Sequence, residues 1–127
     1  MDSTLTNILI TLGQMLMGAL YVYAGLNHFG PAGERIVPML QARGVPMPRE
    51  ALYVASAFEA ACGAALMLGI AVVPAAFGLA AFTIVASILL VNFWDMPPGE
   101  MREMLKGVFA SNAAIVGGLL LVAAEAL

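Results

Sequence analysis

"ALYVASAFEAACGAALMLGIAVVPAAFGLAAFTIVASILLVNFW", residues 51–94, contains a single charge, Glu59. As one helix it would be about 66 Å long at about 1.5 Å per residue. A bilayer core of roughly 30 Å takes about 20 apolar residues per crossing, so the run must fold back on itself. Gly69 and Pro74 mark the place. Glycine ends a helix cheaply, and proline fits the first turn of the next. The reading is two spans, 51–69 and 73–94, joined by an almost wholly apolar turn. Backbone groups in lipid must pair internally, and the run lacks the alternation of barrel strands, so both spans are helical.

Two more spans flank this pair. Residues 5–29 form the first; no Lys or Arg precedes it and it is too long for a signal-peptide core, so cleavage is not expected. "DMPPGEMREM" interrupts the apolar pattern at residues 95–104, and residues 105–127 form the fourth. Composition agrees. Of 127 residues 62% are hydrophobic and 10% charged, against about 25% charged in soluble domains, and the mean hydropathy is +0.97. The expected fold is all-α: one domain, residues 1–127, an integral membrane four-helix bundle. Between spans one and two, "GPAGERIVPMLQARGVPMPRE" (residues 30–50) places Ile36, Met39 and Leu40 at helical spacing, with Arg35 and Arg43 available to the polar side. It reads as a short amphipathic segment lying on the membrane surface; the alternative is a plain loop.

The cations orient the bundle. Arg35, Arg43 and Arg49 lie in the first connection and Arg102 and Lys106 at the third, which accounts for all five Lys and Arg. The positive-inside rule then makes 30–50 and 95–104 cytoplasmic and both termini external, in a bacterial-type inner membrane. Trp94 suits an aromatic anchor at the headgroup level.

Polar residues within the spans follow helix faces. Thr4, Asn7, Thr11, Gln14, Gly18, Tyr21, Gly25 and His28 recur every three or four residues along span one. In lipid such a stripe turns toward other helices, where small residues allow close approach and polar ones find partners. Ser56, Glu59 and Gly63 share a face of span two, and Asn92 and Asn112 lie toward the cationic ends of spans three and four. Thr83 and Ser87 point roughly opposite Asn92 and can bond back to their own helix, which makes them weaker candidates. If the faces converge, His28, Asn92 and Asn112 line a polar funnel that opens on the cytoplasmic side and ends at Glu59. An intramembrane carboxylate is a functional candidate by default. Glu59 is therefore the candidate proton relay, with Asn112 or Tyr21 as its expected hydrogen-bond partner.

"ALYVYAGLNHF" (19–29), "RGVPMP" (43–48), "FEAACGAALMLG" (58–69) and "NFWDMP…FASNAAIVGGLLLVAA" (92–97 and 109–124) fall in order across nearly the whole chain. Together they resemble the DoxX family of small four-span membrane proteins. The resemblance matches the family's span-two carboxylate to Glu59, its last-span asparagine to Asn112, and the polar or basic end of its first span to Asn27 and His28. Where relatives often carry His before the Phe-Trp pair and Lys before the asparagine, this chain has Asn92 and Ser111. The resemblance implies association with redox systems, including quinone-linked sulfur oxidation in some relatives.

The inventory excludes several chemistries. One cysteine, Cys62, rules out an intramolecular dithiol exchange and reads as packing. One histidine cannot supply two axial haem ligands, and a structural zinc site lacks ligands, so no metal is expected. Met96, Met101 and Met104 beside Asp95 read as apolar filler rather than a Cu(I) surface. A net charge of −3 argues against nucleic acid. Two readings remain. One is a subunit or accessory of a membrane oxidoreductase, with Tyr21, Asn27, His28, Asn92, Ser111 and Asn112 around a quinone-like ligand, no covalent cofactor, and partner redox subunits. The other is a non-catalytic assembly subunit or binder of lipid-like ligands. Either is compatible with a homo-oligomer.

Overall fold

The structure is a computed structural model and describes residues 3–127. Five α-helices and one short 3₁₀ turn make up the fold, with no strand among the described residues. They are α1 (Ser3–Asn27), α2 (Pro31–Ala42), α3 (Pro48–Leu68), α4 (Val72–Leu90), the turn Phe93–Asp95, and α5 (Glu100–Ala126). α1, α3, α4 and α5 are long and apolar enough to cross a membrane. α2 is the segment between the first two spans, and it is a helix rather than a plain loop.

Caps and prolines set the helix bounds, whereas hydropathy marks only the part that meets lipid. Pro48 opens α3 a turn before the apolar run, because proline is pre-set for a first helical position. Gly99 precedes α5, whose first turns are the charged "EMREM" rather than the apolar stretch from Leu105. Gly69 ends α3 in the left-handed conformation, φ 72° and ψ 27°, and its N–H bonds back to the carbonyls of Ala65 and Leu66. That satisfies carbonyls which a helix end in lipid could not leave open. Val72 starts α4 three residues later, with Pro74 in its first turn.

The spanning helices form a ring in which α1 packs on α3, α3 on α4, α4 on α5 and α5 on α1. α1 therefore faces α4 across the middle, and α3 faces α5. The tightest seam joins α1 and α3. A Cβ placed on Gly18 would come within 2.5 Å of the Gly63 carbonyl oxygen, and one on Gly25 within 2.7 Å of the Ser56 carbonyl oxygen. The two backbones touch there, so these positions exclude any side chain. Gln14 Nε2 donates to the Leu66 carbonyl in the same seam, at 2.9 Å. This register places Leu68, the end of α3, beside Gly13, so the first turns of α1 run past it. Thr4, Asn7 and Thr11 consequently line a shallow surface groove and do not enter the seam.

At the end of the ring that holds α3's C-terminal turn, Leu66, Leu79, Leu119, Ala76 and Ala123 form an apolar cluster. The cationic end is looser, because α1 stops at Asn27 and α2 crosses over in its place. Two ion pairs tether α2. Glu34 bonds Arg49 on α3, and Arg43 reaches the Ile88 carbonyl of α4 (3.4 Å) and Asp95 (3.9 Å). Beside it Phe93, Trp94 and Phe109 meet edge to face, with ring centroids 5.4–5.6 Å apart, and Lys106 lies over Phe93. That aromatic knot sits where Trp94 was expected to anchor the chain.

Candidate functional site: a cavity around Glu59

A cavity of about 490 Å³ lies inside the ring. Leu20, Leu52, Phe82, Leu89 and Ile115 supply apolar wall from all four spanning helices, and Ile36, Leu40 and Val45 close it at the α2 end. Its polar lining is confined to Tyr21, His28, Ser56, Glu59, Thr83 and Asn112. Few polar groups converging in a mainly apolar space of this size is the usual form of a small-molecule site.

Glu59 is 3% exposed and stands about 16 Å along α3 from Pro48. Its Oε2 lies 3.4 Å from Nδ1 of His28. Helical side chains lean toward their own N-terminus. α1 and α3 are antiparallel, so His28 leans inward and Glu59 leans outward, and the two meet. This geometry gives Glu59 a histidine neighbour in place of the Asn112 or Tyr21 expected from sequence. Those two are engaged elsewhere. Asn112 Nδ2 donates to Ser87 Oγ at 3.0 Å, locking α5 to α4. Thr83 Oγ1 donates to the Leu79 carbonyl at 2.7 Å, so the Tyr21 hydroxyl, 2.5 Å away, is the donor to Thr83. Tyr21–Thr83 is a strut from α1 to α4 across the ring.

The remaining polar groups are not spoken for. His28 Nδ1, Ser56 Oγ and Glu59 Oε2 are all buried without a well-aligned hydrogen-bond partner. Buried polar atoms are nearly always paired, so three orphans against one cavity need a reason. Within the pair, exposure is unequal: the His28 side chain is 24% exposed and that of Glu59 4%. His28 is the member of the pair nearer the surface.

Of the seven sequence candidates, Glu59, His28, Asn112 and Tyr21 line the cavity. Asn27, Asn92 and Ser111 do not. Asn27 and Ser111 are exposed, each a helical step round from a lining neighbour. Asn92 lies past the end of α4 with φ −81° and ψ 67°, and its amide donates to Asp95 at 3.1 Å. The phase that set Asn92 against Thr83 and Ser87 assumed a helix to residue 94, but α4 ends at Leu90. Thr83 and Ser87 are thus the inward residues of α4. Their helical spacing with Ala76, Leu79 and Ala80 was the available signal, together with their polarity in an otherwise uniformly apolar helix. Ser56 was visible on the Glu59 face but was not singled out. Among the described residues no group of three His, Cys, Asp or Glu side chains is placed to hold a metal.

A family model described as DoxX matches residues 9–92, which runs from the second turn of α1 past the end of α4 and includes His28 and Glu59. No curated protein and no solved structure matches the chain.

Proposed function

The chain belongs to the DoxX family, and from that membership and its cavity we propose that it is the ligand-binding membrane unit of an oxidoreductase, taking a quinone-like head group. The three orphaned polar atoms at the inner end of the cavity carry this reading. A ring with two oxygens fits their chemistry. The Ser56 hydroxyl and the His28 imidazole can donate to it, and the Glu59 carboxylate can accept from a hydroxyl. A bound quinone would supply two-electron, two-proton redox chemistry. The chain's own part is to orient the head, keep water out with its apolar walls, and hold a proton between Glu59 Oε2 and His28 Nδ1, with His28 as the link outward. Electrons would come from a partner redox subunit. We place α2 and the 95–104 loop on the cytoplasmic side of a bacterial-type inner membrane, supported by the cations gathered there.

The test is lipid extraction and mass spectrometry on protein purified from native membranes. A quinone, or a co-purifying redox subunit, should accompany the wild-type chain, and the quinone should be lost from Glu59→Ala. Absence of both from the wild type would defeat the proposal. One observation favours a second reading: the His28–Glu59 contact joins α1 to α3, as it would in a non-catalytic assembly subunit. Under that reading Glu59→Ala lowers stability, and Glu59→Gln behaves as wild type.

A further inference from the structure

The wall that α3 and α4 give the cavity also has a hollow on its outer side. The two helices are joined by a tight turn at 69–71. Between them, on the lipid-facing surface, runs a second hollow of about 860 Å³. Ala51 and Ala55 of α3 and Phe82 and Val85 of α4 line both this groove and the inner cavity, so the two spaces share one boundary. The rest of the groove is nearly all apolar, with Met47, Val54 and Phe58 along it and Glu50 at its rim. Phe58 lies against Gly78, where a Cβ would be 2.9 Å from the ring, and it leans toward Phe82 with centroids 6.5 Å apart. At the other end, Ile36, Leu40 and Val45 stand between the cavity and the aqueous side.

We infer that the ligand reaches the site from the bilayer, through the opening between α3 and α4, and is a single-chain amphiphile. Its oxygen-bearing head lies at Glu59, Ser56 and His28, and its alkyl or isoprenoid tail lies out along the groove. The inference rests on the cavity being a ligand site, as proposed above. It adds the route and the tail. Polar lining at the inner end and almost none outside is the pattern an amphiphile presents in reverse. A water-soluble ligand would need the opening on the side that α2 closes.

Equilibrium binding to the full chain in lipid nanodiscs separates the possibilities, using 2,3-dimethoxy-5-methyl-1,4-benzoquinone with and without a decyl tail, each corrected for uptake by empty nanodiscs. Val54 is 71% exposed and lines the groove but not the inner cavity, so Val54→Trp puts bulk in the groove without crowding the head-group site. Ala81→Phe does so from α4, also outside the inner cavity, and Leu16→Phe adds bulk on the lipid face of α1 as a control. Val54→Trp and Ala81→Phe should each weaken binding of the decyl probe about tenfold, by overpacking its path. They should leave the tail-less probe within about threefold, and Leu16→Phe should change neither. Unchanged decyl binding in both groove variants overturns the inference while leaving the cavity reading intact. Failure of both probes to bind the wild type overturns the cavity reading, and this inference with it.

Discussion

Glu59 and His28 face each other across the α1–α3 seam, Oε2 to Nδ1 at 3.4 Å, in a mainly apolar surrounding. Removing either leaves a buried group with nothing opposite, at a cost of about 1–3 kcal/mol. Glu59→Gln keeps shape and hydrogen-bonding capacity but cannot give up a proton. It should melt close to wild type in detergent and abolish the activity of the assembled complex. Wild-type activity in Glu59→Gln would show that no proton passes there. Tyr21→Phe is a milder change, since Thr83 keeps its bond to Leu79. Hydrogen bonds between membrane helices are worth about 0.6 kcal/mol on average, so thermal denaturation should detect a loss of about that size. That Glu59 is a candidate was legible from its isolation among apolar residues. Its partner was not, because spacing fixes the face of a helix and says nothing about which side chains lean toward one another across a seam.

The α1–α3 pair depends on bare backbone at a few positions. Gly25→Leu has no room beside Ser56 and Ala60 and should destabilise by about 1–3 kcal/mol or more. Gly117→Leu, with nothing within 4 Å of its Cβ position, gains helix propensity of about 0.8–1 kcal/mol and should melt no lower than wild type. Equal losses in both would mean that α1 and α3 do not pack as described. The attachment of α2 is instead electrostatic and depends on pH. The Arg49 guanidinium bonded to Glu34 holds that carboxyl below its ordinary 4.5. The bond therefore contributes above the unfolded value and is lost as pH falls through the lowered folded one. Relative to intrinsic rates, amide exchange in residues 31–42 should rise on acidification below about pH 4.5, and Glu34→Gln should exchange faster than wild type near neutral pH and match it in acid. Span existence could be read from hydropathy, and α2 from its apolar spacing. The extent of the α1 seam could not, because Thr4, Asn7 and Thr11 repeat with the same period as Gln14, Gly18 and Tyr21 yet lie past the end of α3.

For the molecule as a whole, the charge distribution bears on the proposed orientation and the ring order sets the interior. With every Lys and Arg near one end, alkaline phosphatase fused after Leu127 should be active at the cell exterior, and a fusion in 95–104 should be silent. The opposite pattern would invert the protein. Four spans and their alternating direction follow from the sequence, but the pairing of α1 with α3 required coordinates, since several ring orders would satisfy the same hydropathy. That pairing bears on how the chain is made. Gln14 bonds a carbonyl 52 residues later in the chain. At about 5–20 residues per second, α1 waits roughly 3–10 s in or beside the insertion machinery, its Gln14, Tyr21 and His28 without the neighbours they will have. Until α3 is synthesised that stripe lacks the face it packs on. Synthesis of this small bundle therefore sets a delay between the arrival of its first span and the burial of its polar face.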